Sequence, residues 1–160
     1  MNKALFLDRD GVLNRERSDY TYTIEDFEVL PDVAEALTLA RSKGYLLIVI
    51  SNQGGIAKEI FTAERVEKLH SILKTDLAKS CIHFDEIYYC QHHNDIGKCI
   101  CRKPDSLMLE KAIARFNINP TLSCMIGDSE RDVLAAEKAG VKGYLIDSNS
   151  GILDIVQALK

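Results

Sequence analysis

Tyr45-Leu46-Leu47-Ile48-Val49-Ile50 is apolar at every position and runs straight into Ser51-Asn52-Gln53-Gly54-Gly55. A strand without polar alternation is expected to be covered on both faces, as in the middle of a parallel sheet. Working outward, Ala4-Leu5-Phe6-Leu7, Phe84–Tyr89, Leu122–Ile126 and Tyr144-Leu145-Ile146 read as further strands. Helical stretches separate them. Pro31 to Lys43 carries the stripe Val33, Ala36, Leu37, Ala40 and stops at Gly44. Thr62 can cap a helix with Val66, Leu69, Leu73 and Leu77 on one side. Pro104 opens a helix through Leu107, Leu109 and Ile113, Glu130 to Ala139 forms another ended by Gly140, and Ile152 to Leu159 closes the chain. This alternation predicts an α/β fold with a mostly parallel, doubly wound sheet. In such sheets ligands gather beyond the carboxyl ends of the strands. The residues leaving the first four strands are Asp8-Arg9-Asp10-Gly11, Ser51-Asn52-Gln53-Gly54-Gly55, Cys90-Gln91-His92 and Gly127-Asp128-Ser129-Glu130-Arg131-Asp132. Acids, hydroxyls and glycines therefore collect at one rim.

The 160 residues, 46% hydrophobic and 28% charged, suit one domain over 1–160 whose core needs no disulfides. A net charge of -4 offers no footprint for nucleic acid. Met1–Leu7 reaches Asp8 after too few apolar residues for a signal peptide, and no later run can span a membrane. A cytoplasmic monomer with no membrane or nucleic-acid partner is expected. Of the five cysteines, Cys90, Cys99 and Cys101 crowd together, which in a reducing compartment suggests a metal site over a disulfide framework.

Two aspartates two residues apart at a strand end can point into one pocket. Anions that close need a counter-charge or a shared proton. Mg2+, held with Asp128 and Asp132 from the neighbouring strand, supplies the first. One of Asp8 and Asp10 can then attack phosphorus, while the other protonates the leaving oxygen and activates water. Gly11 admits the backbone close to a phosphoryl group, Ser51 offers a hydroxyl and Lys103 a point charge. Alone, Asp-x-Asp-Gly is as easily a turn or a helix cap; the ordered company of Ser51, Lys103 and Gly127-Asp128 favours the catalytic reading.

Asp8-Arg9-Asp10-Gly11-Val12-Leu13-Asn14, Ser51-Asn52-Gln53, Cys101-Arg102-Lys103-Pro104 and Gly127–Asp132 resemble the four ordered motifs of haloacid-dehalogenase (HAD) superfamily phosphatases. The resemblance covers nearly the whole chain. It implies a Rossmann-like three-layer fold, Mg2+ dependence, Asp8 as nucleophile, Asp10 as general acid/base, and Ser51 and Lys103 as phosphoryl stabilisers. It also implies Asp128 and the Asp10 carbonyl as metal ligands. Between the first two motifs there is room for one helix and a short extended piece, Asp26–Leu30, but not for a cap domain.

Cys90-x-His92 and Cys99-x-Cys101 supply four ligands for a closed, structural Zn2+ site, with His93 as an alternative to His92. Such a loop would position Arg102 and Lys103. The combination resembles the zinc-loop subfamily of heptose bisphosphate and histidinol-phosphate phosphatases, although Val12 and Gln91 depart from the usual residues. The partner is then a small phosphorylated metabolite, contacted by Gly11, Asn14, Asn52, Gln53 and Arg102. A bisphosphate would need Arg102, Lys103 or Lys58 for its second anion, whereas an amine would want Glu16 or Asp19. Arg15-Glu16-Arg17 otherwise reads as a solvated face, with Arg15 able to reach the pocket. Cys81 and Cys124 read as small core hydrophobes, and His70 and His83 as satisfied or exposed. A phosphotransferase or a non-catalytic phosphate-binding module on the same fold are the rival readings.

Overall fold

A computed structural model describes Met1–Lys160. The strands are β1 (Lys3–Leu7), β2 (Tyr45–Asn52), β3 (Glu86–Cys90), β4 (Cys124–Gly127) and β5 (Lys142–Leu145). The helices are α1 (Val33–Ser42), α2 (Ala63–Ala78), α3 (Leu107–Arg115), α4 (Glu130–Lys138) and α5 (Leu153–Ala158). All strand pairs are parallel, in the order β3-β2-β1-β4-β5. No helix is long and apolar enough to cross a membrane.

Period-two alternation divides the core into two layers. Leu5 and Leu7 of β1, with Leu47 and Val49 of β2, face Val33, Leu37 and Ala40 of α1, Leu73 of α2 and Val156 of α5. Ala4 and Phe6, with Ile48 and Ile50, face Met108 and Leu109 of α3 and Ala135 and Ala136 of α4. The unbroken hydropathy of β2 follows from this, because successive side chains enter opposite layers. Strand order reverses at β1, which pairs with β2 on one side and β4 on the other. Its carboxyl end is the switch point where a ligand crevice opens.

Several element boundaries differ from expectation. Helix α1 begins at Val33 rather than Pro31, and the Asp32 carboxylate caps α5 instead of its own helix, accepting from the backbone N–H groups of Ile152 (2.6 Å) and Leu153 (2.9 Å). Helix α3 starts at Leu107, after a turn through Pro104. Leu122 lies in a 3₁₀ turn capped by the Asn119 side chain, so β4 starts at Cys124. Strand β3 starts at Glu86, because the Asp85 carboxylate is occupied with the Leu47 N–H (2.7 Å) and Arg41 (2.7 Å). Asp26–Leu30 forms no strand; Val29 makes one isolated bridge to Asn14. Thr62 caps α2 through the Arg65 N–H, and Cys124 is buried, both as expected.

Two corrections concern single side chains. Cys81 is exposed, in a left-handed turn (φ 59°) just past α2, because the chain reverses there before β3. His70 is neither satisfied nor exposed. It is 2% exposed, its Nε2 has no partner, and its ring meets Tyr89 edge-on at 5.4 Å. Burial, helped by the charges of Arg9 and Lys74, pushes its pKa from 6.5 down to about 3. The unfolded chain therefore takes up a proton below pH 6.5 that the folded chain refuses until about pH 3, and stability falls as pH drops through that window. At pH 5 this group should cost about 2 kcal/mol relative to neutral pH. His70→Leu should remove that part of the acid sensitivity. Urea unfolding of both proteins at pH 7 and pH 5 measures it, and an equal loss in the two would refute the assignment.

Candidate active site

Asp8 leaves β1 with its backbone N–H still bound to Ile126 of β4 (3.0 Å). The chain then turns at once: Leu13 and Asn14 both donate to the Arg9 carbonyl, and Gly11 adopts φ 81°. A side chain at Gly11 would be strained by that φ, and its Cβ would lie 2.1 Å from Asp128 Oδ2. Glycine thus lets the first motif approach the Asp128 carboxylate.

Beneath the pocket floor lies a buried ion triad. Lys103 Nζ stands 2.9 Å from Asp8 Oδ1 and 2.6 Å from Asp132 Oδ1, and donates to the Ile50 carbonyl at 2.7 Å. Burial opposes the Lys103 charge, but Asp8 and Asp132 outweigh it and raise its pKa. Burial likewise dominates at Asp8, and although Lys103 opposes it, Asp132 and Asp10 add to it, raising the pKa to about 7. Asp132 is fully buried, its other oxygen accepting from the Ser129 N–H in the capping box that starts α4. Removing Lys103 would leave two close carboxylates uncompensated. Lys103→Met should therefore lose roughly 3–5 kcal/mol of stability. A denaturant midpoint close to that of the wild type would show that the triad contributes little.

Asp10 is held from three sides. Arg9 Nη2 grips both its oxygens (2.8 and 3.0 Å), Asn14 Nδ2 donates at 2.9 Å and Gln53 Nε2 at 3.0 Å. Burial would raise its pKa, but the Arg9 charge and these hydrogen bonds prevail and lower it. Gln53 also donates to the buried Ser51 hydroxyl (2.8 Å), linking the end of β2 to Asp10. Asn52 pairs reciprocally with the Lys103 backbone, at 3.0 Å in each direction.

Above the floor is a cavity of about 520 Å³. Asp8, Asp10 and Asp128 are among its lining residues, as are Glu16, Ser18, Asp19, Tyr20 and Thr21 from the loop after the first motif. Asn52, Gln53, His93, Arg102 and Arg131 join them from the segments at and beyond the carboxyl ends of β2, β3 and β4. Its size suits a small metabolite. Gly54 brings the cysteine loop against the loop after β2, since a Cβ there would lie 2.8 Å from the His93 ring and 2.9 Å from Arg102. Asn14 is fully buried behind Asp10, and Lys58 is paired with Asp95 (3.2 Å); neither lines the cavity. Arg15 pairs with Glu28 (2.8 Å), outside the cavity, while Glu16 and Asp19 do line it. Burial, with Asp10 nearby, raises the Glu16 pKa.

Both candidate metal sites have suitable donors. Carboxylate oxygens of Asp8, Asp128 and Asp132 lie within 4.8 Å of one another, a hard-oxygen set of the kind Mg2+ takes. Asp8 and Asp128 face the cavity, whereas Asp132 is turned to Lys103. Burial raises the Asp128 pKa against a Ser148 hydrogen bond, a condition that a cation would relieve. In the loop after β3, Cys90 Sγ lies 3.7 Å from Cys99, 3.0 Å from Cys101 and 3.5 Å from His92 Nδ1, and His92 Nδ1 lies 3.3 Å from Cys101. These spacings approach the roughly 3.5–3.8 Å edges of a tetrahedron with Zn–S near 2.3 Å and Zn–N near 2.0 Å. His93 is turned away to Asp95 (3.4 Å) and the cavity.

The family model described as "HAD-hyrolase-like" matches residues 100–155. The D-glycero-beta-D-manno-heptose-1,7-bisphosphate 7-phosphatase of Haemophilus ducreyi is 42% identical over 146 residues, 88% of this chain and 80% of that protein. The chain belongs to the HAD phosphatase family. The alpha-heptose counterpart from Photorhabdus laumondii is 36% identical over 145 residues, covering 87% of this HAD phosphatase and 79% of the relative. The D,D-heptose 1,7-bisphosphate phosphatase of B. bronchiseptica, solved with magnesium and phosphate, superposes with a TM-score of 0.84 at 29% identity, covering 89% and 79% of the two chains.

Sequence reasoning passed over two residues of this HAD phosphatase site. Arg9 is 1% exposed and holds Asp10, and nothing in the sequence pattern marks it for that role. The turn begins at Arg9 itself, so period two no longer applies. Arg131 lines the cavity, although within its motif only the acids carried a signal.

Proposed function

We propose that this HAD phosphatase hydrolyses the 7-phosphate of D-glycero-D-manno-heptose 1,7-bisphosphate. The observation that carries the reading is the meeting of Asp8, Asp10, Ser51, Lys103 and Asp128 at the switch point of the sheet. The names of the relatives at 36–42% identity support the substrate.

Asp8 attacks phosphorus, forming its own bond to the phosphoryl group as the bond to the sugar oxygen breaks. Asp10 gives that oxygen a proton, then takes one from the water that attacks the aspartyl phosphate and releases inorganic phosphate. In the resting site Arg9, Asn14 and Gln53 stabilise ionised Asp10. An entering phosphate dianion opposes that charge and favours the protonated form. Lys103 and Ser51 are buried beneath the floor and support the transfer from there, Lys103 through its ion pair with Asp8 and Ser51 through Gln53, which also holds Asp10. Gly11 admits the phosphoryl group, and Gln53 and Arg102, which line the cavity, contact substrate. Asn14, fully buried behind Asp10, acts by orienting it and not by direct contact, whereas Asn52 lines the cavity while its side chain also pairs with the Lys103 backbone. Mg2+ held by Asp8, Asp128 and the Asp10 carbonyl would neutralise charge on the phosphoryl oxygens. Zn2+ held by Cys90, His92, Cys99 and Cys101 would fix the loop carrying Arg102. Five unbridged cysteines suit a cytoplasmic setting.

Histidinol phosphate is the second reading, favoured by Glu16 and Asp19 on the cavity wall. The test is kcat/KM for both compounds at one Mg2+ concentration, with the heptose bisphosphate expected to lead. Tenfold more efficient turnover of histidinol phosphate, about 1.4 kcal/mol in transition-state binding, would overturn the assignment.

A further inference from the structure

Five carboxylates line the cavity: Asp8, Asp10, Glu16, Asp19 and Asp128. Of the cations expected to balance a second phosphate, Lys103 is spent on Asp8 and Asp132 below the floor, and Lys58 on Asp95 outside the cavity. Arg102 lines the cavity but has one nitrogen committed to the His92 carbonyl (2.9 Å). Arg131 also lines it, is exposed there, and forms no ion pair with any carboxylate.

Its position is unfavourable for helix stability. Ser129 caps α4 and Asp132 closes the capping box, which puts Arg131 in the first turn. Anions are favoured at that end of a helix, and a cation there is opposed by the helix dipole. A guanidinium in a disfavoured position, on the rim of an acidic cavity, with no hydrogen bond or ion pair and only the longer-range charge of Asp128 acting on it, is suited to an anion that arrives from outside. Its planar fork can take a phosphate through two hydrogen bonds.

We infer that Arg131 is a specificity-determining residue that grips the phosphate that is not transferred. The inference rests on the bisphosphate reading above. It makes this chain selective for sugar bisphosphates over the corresponding monophosphates.

The experiment compares wild type, Arg131→Met and Arg131→Lys. It measures kcat/KM for heptose 1,7-bisphosphate against heptose 7-phosphate, and for fructose 1,6-bisphosphate against fructose 6-phosphate. In the wild type the bisphosphate of a pair should be preferred. In Arg131→Met that preference should fall at least tenfold, mainly through KM, with Arg131→Lys in between because a point charge replaces the fork. Thermal stability of Arg131→Met should match or exceed the wild type. A purely structural role would instead lower stability and slow both members of each pair alike, which would overturn the inference. So would a bisphosphate preference within twofold of wild type in Arg131→Met, or a wild type that prefers the bisphosphate in neither pair. Wild-type preference confined to the fructose pair and lost in Arg131→Met would sustain the role of Arg131 while refuting the heptose assignment.

Discussion

Asp8→Asn is expected to lower kcat/KM for phosphate release by about 10⁴-fold or more, the scale seen when a covalent nucleophile is removed. The amide is nearly isosteric but has no anionic oxygen to attack phosphorus. The loss should not come from unfolding. Asp8 is a carboxyl raised to about 7 by burial and its acidic neighbours, so neutralising it removes repulsion from Asp132 and Asp10 along with attraction to Lys103. The variant should keep a wild-type circular dichroism spectrum. Beryllofluoride, which mimics an aspartyl phosphate, should raise the melting temperature of the wild type in the presence of Mg2+ and leave Asp8→Asn unmoved. Near wild-type turnover in the variant would remove the covalent mechanism. Asp10→Asn should cost less, about 10²–10⁴-fold, the usual worth of a positioned acid–base group.

The second large effect is expected at the four-ligand cluster of the cysteine loop. Protein purified without added zinc should carry one Zn2+ per chain, and Cys99→Ser should carry little. Structural zinc in small domains contributes on the order of 10 kcal/mol to the fold it organises. Here the consequence should be mostly local, because the four ligands lie on the end of β3 and the loop after it, while the sheet has its own two-layer core. The loop reaches the site through the bond from Arg102 to the His92 carbonyl and through Lys103, next in the chain. Loss of the metal should therefore raise KM and lower the melting temperature more than it changes the chemistry of Asp8. Zinc content measured by mass spectrometry in both proteins decides this. A metal-free wild type, or Cys99→Ser with unchanged zinc, would contradict it.

Much of the architecture could be read locally. β2 announces a buried central strand because six apolar residues in a row have no solvated face. The helix stripes identify their buried faces, and Val33, Ala36, Leu37 and Ala40 are the buried residues of α1. The ends of elements were less legible, since they are decided by partners distant in sequence. Asp32 looks like the start of α1 until α5, 120 residues later, takes its carboxylate. Asp85 looks like strand until the backbone of β2 claims it.

By itself, the sequence determined the class of sheet, the rim where polar residues meet and the Cys/His cluster of the loop after β3, because each depends on residue type and short spacing. Only the tertiary structure decided how those groups are used. Asn14 reads as a substrate contact in the sequence but is fully buried behind Asp10, to which its side chain donates. Arg9 became the clamp on Asp10 when the chain turned out of β1. His70 lost its hydrogen-bond partners when α2 packed down on the sheet, a cost that a helix read alone does not reveal. Arg131 was left facing the cavity without a partner because α4 starts where β4 ends, at the point where strand order reverses. For the buried groups among these, Arg9, Asn14 and His70, the deciding effect is desolvation. A polar group keeps water as its partner until packing removes it, and which protein group replaces that water depends on elements far apart in the chain.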